Sequence, residues 1–233
     1  IIGACATVSN SDVILLDSKP INAKSEKIVE NQLNETPVDI WERIRRELTI
    51  KIPDDQIAAT SIYRERLYKN QSAVNRISKS GQRYLFHTLS RAQELDLPVE
   101  LALLPFVESE FDPYAKSVDG ATGIWQFMPA TGKEWGLKSN WWYDGKKDVL
   151  ASTEAALKFL SYLHQKFDED WLLAMAAYNT GPTRVNRAIR KNKMQDKGIR
   201  FWDLDLPKET TAYVPKLLVL CCLLYTSDAA DDV

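Results

Sequence analysis

Glu108 stands at the end of an apolar stretch, Leu101 to Val107, and Ser109 follows it at once. Small and polar residues from Ser117 lead into Gly123-Ile124-Trp125-Gln126. Farther along, Ala177-Tyr178-Asn179 closes a second apolar stretch. A carboxyl set in an apolar wall is harder to ionise, because the charged form loses its hydration. Leu104, Phe106 and Val107 are the neighbours expected to build that wall. Such a group can hold a proton near neutral pH and hand it over. With an amide and aromatic rings alongside, it suits general acid/base cleavage of a glycosidic bond. Glu110 and Asp112 are the competing carboxyls. Residue 110 lies two positions on, and on a helix it points away from Glu108. Asp112-Pro113 reads as a turn former.

Helices must position these groups, since strand patterns are nearly absent. Thr36-Pro37 reads as a helix start, with Ile40, Trp41, Ile44 and Leu48 on one face. A helical segment is expected over 57–68, and a long helix over 72–95 with Ile77, Tyr84, Leu85, Leu89, Ala92 and Leu95 on one side. Pro98 should open the helix that carries Glu108. Pro105 lies inside it and cannot donate to the Leu101 carbonyl, so a bend one turn before Glu108 is expected. Residues 117–123 read as a loop, and 131–148 as mostly irregular. Asp148 should cap a helix through Phe167, with Leu150, Ala156, Leu157, Leu160 and Leu163 as its face. Asp170 should cap the next, Trp171 to Asn179; Gly181-Pro182 stops it and starts another. A last helix begins near Thr210. The fold class is all-α, compact, with an N-terminal helical extension.

Composition narrows the partners. Lys+Arg 30 against Asp+Glu 32 gives a net charge of -2, which offers no argument for nucleic acid. Seven Trp and nine Tyr point instead towards carbohydrate, since aromatic faces stack on sugar rings. His87 and His164 have no partners at metal spacing, so no metal or other cofactor is expected. Cys5, Cys221 and Cys222 form neither a disulfide framework nor a zinc pattern.

The segment Glu100 to Thr131, ELALLPFVESEFDPYAKSVDGATGIWQFMPAT, resembles the lytic murein transglycosylases of the goose-lysozyme-like fold. Within that family the likeness is to the membrane-bound type D branch, which shares Trp in the Gly-Ile-Trp-Gln motif. The Ala-Tyr-Asn motif and the segment Phe201-Trp202 … Glu209 to Lys216 extend the resemblance from about Thr36 to Leu220, four motifs in order and correctly spaced. It implies cleavage of the MurNAc–GlcNAc β-1,4 bond of peptidoglycan glycan strands, with the muramyl C6 hydroxyl as nucleophile and a 1,6-anhydro product. Glu108 would be the single acid/base. Ser117 and Gln126 would face the cleft. Tyr178 would orient Glu108 or stabilise developing charge. Asn179 would contact substrate or end its helix; Gln126 would contact substrate or brace its loop. Two other readings stay open: a goose-type hydrolase, for which Asp119 or Asp144 would have to activate water, and a non-catalytic glycan-binding module.

The two ends carry their own expectations. Ile2-Gly3-Ala4-Cys5 resembles the end of a lipoprotein signal peptide, with Cys5 as the lipidated residue. Attachment by that lipid to the periplasmic face of the outer membrane would follow. Residues 6–35 read as a flexible tether. Residues 222–233, CLLYTSDAADDV, look like a translated sequencing adapter, and LysM repeats would follow in an intact type D enzyme. The expected organisation is 1–35 signal remnant and tether, 36–97 helical extension, 98–221 catalytic domain, and 222–233 artefact.

Overall fold

The computed structural model describes residues 40–69 and 71–226, with side chains placed for 40–58, 60–65 and 83–221. Cys5, the Thr36-Pro37 helix start and the Ile77 side chain lie outside them. The described residues from Ile40 on belong to one compact unit. They form helices α1 (Ile40–Glu47), α2 (Ile57–Lys69), α3 (Gln71–Glu94), α4 (Leu104–Ser109), α5 (Pro129–Glu134), α6 (Val149–Lys166), α7 (Trp171–Thr180), α8 (Pro182–Lys193) and α9 (Lys208–Thr226). Three short 3₁₀ segments, Asp54–Gln56, Val99–Leu103 and Phe201–Asp203, lie between them, and the β-structure among the described residues is limited to isolated bridges.

The expected caps are made. Asp148 accepts from the Ala151 amide at 3.0 Å, and Asp170 from the Leu173 amide at 3.0 Å. Gly181, at φ 89, ends α7, and Pro182 opens α8 at a position that needs no amide donor. The face of α6 is Ala156, Leu157, Leu160 and Leu163, all fully buried, but Leu150 is 63% exposed. Leu150 points outward from the first turn, where Val149 and Ala151 pack on the core instead. Residues 131–148 are mostly irregular, apart from the end of α5, which Pro129 starts with its preset first-turn φ.

Glu108 does not ride on one bent helix. A 3₁₀ segment, Val99–Leu103, comes first, and α4 starts afresh at Leu104 with Pro105 in its first turn. Proline's missing N–H costs nothing there, so the chain breaks and restarts before Pro105 rather than kinking around it. The 3₁₀ segment is wholly buried. Its Glu100 side chain accepts the amides of Thr49 and Ile50, each at 2.5 Å, fastening the chain beyond α1 to the approach to α4. Trp41 of α1 packs on Phe106 of α4 with ring centroids 6.1 Å apart.

Helix α9 is the hub, packing against α1, α2, α4, α7 and the 3₁₀ segment. Val214, Leu217, Leu218 and Leu220 are buried at its contacts. Its backbone stays helical to Thr226, past the boundary expected at 221/222. On the far side, Arg91 of α3 clasps Glu154 of α6, with Nε 2.6 Å and Nη2 3.2 Å from the two carboxylate oxygens. No helix among the described residues is long and apolar enough to cross a membrane.

Candidate active site

Helices α4, α7 and α9 meet around a cleft of about 570 Å³. Val107 and Glu108 come from α4, Ala177 to Thr180 from α7, and Glu209, Tyr213 and Lys216 from one face of α9. The loop wall supplies Ser117, Asp119, Ala121, Gln126, Phe127 and Met128. Glu108, Ser117, Gln126, Tyr178 and Asn179, named from sequence, therefore share one cavity.

The loop wall is rigid for identifiable reasons. The chain leaves α4 through two left-handed residues, Glu110 at φ 52 and Phe111 at φ 61. Phe111 is buried, and its ring meets Phe106 edge-on at 4.5 Å. Asp112 makes the expected turn, accepting from the Tyr114 amide at 2.9 Å. Ser117 accepts from the Ala121 amide at 3.0 Å, closing the loop tip. Ser109 Oγ donates to the Ile124 carbonyl at 3.0 Å, tying the Gly-Ile-Trp-Gln segment to the residue beside Glu108. Gly123, at φ 83, lies so close to the Lys146 carbonyl that a Cβ would sit 1.8 Å from its oxygen. Trp125 is fully buried, and its Nε1 donates to Thr153 Oγ1 at 3.0 Å. That tryptophan is core, while Gln126, at φ 47, is turned into the cleft. Gln126 also braces the loop: its Nε2 donates to the Gly123 carbonyl at 2.9 Å.

Glu108 is half-buried, with protein on every side but the cleft. Burial lifts its carboxyl from the ordinary 4.5 to about 7; the Tyr213 hydrogen bond pulls it down, and the Glu209 charge pushes it up. Of the expected wall, Val107 lines the cleft beside Glu108. Leu104 and Phe106 face the core, so the apolar lining beside Glu108 is Val107 with Phe127, Phe159 and Ala177. Helical spacing turns 106 away from 108, whereas Leu104, one turn back on the same face, is fully buried beneath it.

The hydrogen-bond partner of Glu108 is Tyr213, whose hydroxyl donates to Oε1 at 2.5 Å. Tyr178 donates to the Trp125 carbonyl at 2.8 Å instead. Burial first, and then the charge of Glu108, raises both phenols well above their ordinary pKa, so both remain donors. Asn179 is not the helix end, since α7 runs one residue further, to Thr180, with Gly181 as its cap. Its Oδ1 accepts from Thr210 Oγ1 at 2.8 Å, locking α7 to the start of α9. The sequence places Tyr213 in a segment that carries the family resemblance but gives it no role, and no local signal pairs it with Glu108, 105 residues away.

The other carboxyls separate by position. Glu110 and Asp112 do not line the cleft, whereas Asp119 and Glu209 do. Asp144 is held by Lys146 Nζ at 2.6 Å and by Ser139 Oγ at 2.9 Å, away from the lining. Its carboxyl is consequently shifted below the ordinary range, with the Lys146 and Ser139 contacts outweighing burial. His164 stacks on Trp171 at 3.8 Å, a packing role. Among the described residues no group of His, Cys, Asp and Glu is arranged to hold a metal ion.

An all-helical body presents Glu108 in a polar-aromatic cleft, and comparison with known proteins finds relatives in sequence and in fold. Residues 87–201 match the family described as Transglycosylase SLT domain, and this part of the chain belongs to that family. The membrane-bound lytic murein transglycosylase D of Escherichia coli K12 is 42% identical over 189 residues, 81% of this chain and 41% of that protein. The soluble lytic murein transglycosylase of Salmonella typhimurium is 28% identical over 141 residues, 58% of this chain and 21% of that protein. The crystal structure of the 70 kDa soluble lytic transglycosylase of E. coli superposes with a TM-score of 0.52 at 20% identity, over 73% of this chain and 30% of that one, and shares the fold. This chain thus spans about two fifths of the length of the type D relative it matches.

Proposed function

We propose that the protein is a lytic murein transglycosylase that cuts the MurNAc–GlcNAc β-1,4 bond of peptidoglycan strands. The observation that carries this reading is Glu108: a carboxyl lifted to about 7, lining a cleft and hydrogen-bonded to Tyr213. Glu108 starts protonated and gives its proton to the glycosidic oxygen as the bond from muramyl C1 breaks. The resulting carboxylate takes the proton of the C6 hydroxyl as O6 closes on C1. Glu108 ends protonated, no water is consumed, and the product carries a 1,6-anhydro ring. An internal hydroxyl already in place stands in for the second carboxylate that hydrolytic cleavage needs. Tyr213 stabilises the carboxylate between the two transfers, because a hydrogen bond to the charged form favours it.

Ser117, Gln126, Tyr178 and Asn179 form the substrate-facing polar set in this reading, Gln126 suited to an N-acetyl group because an amide both donates and accepts. Cys5 carries the lipid that holds the enzyme at the periplasmic face of the outer membrane, supported by the membrane-bound name of the type D relative. Mass spectrometry of digested peptidoglycan is the test. Anhydro-muropeptides, one water lighter than hydrolysed ones, are expected; reducing-end products would show that water and not the C6 hydroxyl attacks C1, as in a hydrolase.

A further inference from the structure

A second aromatic feature lies outside the cleft. Residues 138–145 form a tight hairpin, in which the Gly145 amide donates to the Lys138 carbonyl at 2.8 Å and the Asn140 amide to the Tyr143 carbonyl at 2.7 Å. Trp141 and Trp142 are the two central residues of its turn. They are 86% and 90% exposed, with rings edge-to-face at 6.2 Å. Glycine, asparagine, aspartate and proline are the usual occupants of such positions, so two solvated indoles are costly for turn formation alone.

The tip is preformed. Asn140 Oδ1 accepts the amides of Trp142 and Tyr143 at 2.9 and 2.8 Å, and the Tyr143 hydroxyl donates to Asp148 at 2.9 Å. It is also rooted on the cleft wall. Lys146, at the hairpin base, lies under Gly123 through its carbonyl, and its aliphatic stem packs against Gly132 of α5. Gly123 opens the segment that presents Gln126, and α5 presents Thr131 to the cleft. The hairpin is therefore a rigid projection of the wall that holds the candidate site.

We propose that the Trp141–Trp142 turn is an auxiliary glycan-binding platform that engages the strand beyond the cleft. This rests on the peptidoglycan reading. A cleft of about 570 Å³ has the size of a small-molecule pocket and covers only a short part of a polymer. Exposed indole faces beside hydroxyl, amide and carboxylate groups match a sugar ring, which offers an apolar face and a hydroxyl edge. The tip, residues 139–143, is uncharged, and the flanking Lys138, Lys146 and Lys147 stand beside Asp144 and Asp148, with Lys146 paired to Asp144, which favours sugar over an anionic lipid surface.

The test uses Glu108→Gln protein, which should not cut strands, and measures dissociation constants for long peptide-free glycan strands and for short oligosaccharides that fill the cleft alone. Adding Trp141→Ala with Trp142→Ala should weaken strand binding at least ~10-fold, about 1.4 kcal/mol, and leave short-oligosaccharide binding and the melting temperature unchanged. Trp141→Tyr with Trp142→Tyr, which keeps two ring faces, should retain most of the affinity. If the alanine pair lowers the melting temperature, Trp141→Gln with Trp142→Gln gives the same comparison. Unchanged strand binding in the alanine and glutamine pairs overturns the proposal. Tip-dependent sedimentation with phosphatidylglycerol vesicles, strand binding being unaffected, overturns it in favour of a membrane contact. Failure of the unmutated protein to release anhydro products would overturn the catalytic reading and leave this binding result standing.

Discussion

Tyr213 and Glu108, from opposite ends of the domain, meet through a hydrogen bond of 2.5 Å between phenol and carboxyl. The phenol holds a group that burial alone would leave still harder to ionise. Tyr213→Phe should raise the Glu108 pKa further and slow the step in which Glu108 gives up its proton, because the carboxylate left behind loses its donor. A hydrogen bond to a charged group is worth about 1.5–3 kcal/mol, so kcat should fall roughly 10- to 100-fold. The descending limb of the pH–rate profile should move to higher pH. An unshifted limb would show that Tyr213 does not act on Glu108.

Glu108→Gln should keep the fold and lose at least ~10²-fold in rate, the scale of general acid/base help. Glu110→Gln and Asp112→Asn, outside the cleft lining, should lose far less. Asp119→Asn and Glu209→Gln line the cleft and are the sterner comparison; an equal loss in either would point to a second catalytic carboxyl. In the unmutated protein, activity should decline as pH rises through about 7, because the acid form begins the reaction.

Stability should carry the same signature. The folded-state pKa of Glu108, about 7, lies above the ordinary 4.5, so between those values the folded protein holds a proton that the unfolded chain releases. This group's contribution to stability is full below about 4.5 and is lost as pH rises towards 7. The loss is at most about 1.4 kcal/mol per pH unit. Glu108→Gln has no such dependence. Urea unfolding at pH 5 and pH 8 should show the variant gaining on the unmutated protein at the higher pH.

Gly123→Ala should be severe. Its φ of 83 disfavours a side chain, and its Cβ would overlap the Lys146 carbonyl. Backbone strain and overpacking together suggest ~2–5 kcal/mol, visible as a lower denaturation midpoint. Activity should fall with it, since Gln126 follows on the same segment.

If Cys5 carries a lipid, the full-length protein should fractionate with membranes, and Cys5→Ser should release it to the soluble fraction. Equal fractionation of the two forms would remove the anchor from this account.

Much of the local structure is legible in the chain because its signals are local. Asp148 and Asp170 cap helices α6 and α7 with their own side chains, and Gly181-Pro182 separates α7 from α8 by backbone geometry alone. Glu108, Ser117, Gln126, Tyr178 and Asn179 stand in motifs that can be read in order, and they line one cleft. What needed the tertiary structure is which groups touch. The Tyr178 hydroxyl went to the Trp125 carbonyl and Tyr213 took Glu108, because α9 packs across α4 and α7, and no periodicity along one helix encodes which tyrosine of two crossing helices comes within 2.5 Å of a carboxyl. The same holds for the break at Pro105: its missing N–H is written in the chain, but a kink and a fresh helix start both accommodate it, and the buried 3₁₀ segment tied to Thr49 and Ile50 through Glu100 accompanies the restart. Local chemistry set the elements and their ends; the side of Glu108 that lost water, and with it the proton held near pH 7, came from the packing of helices distant in sequence.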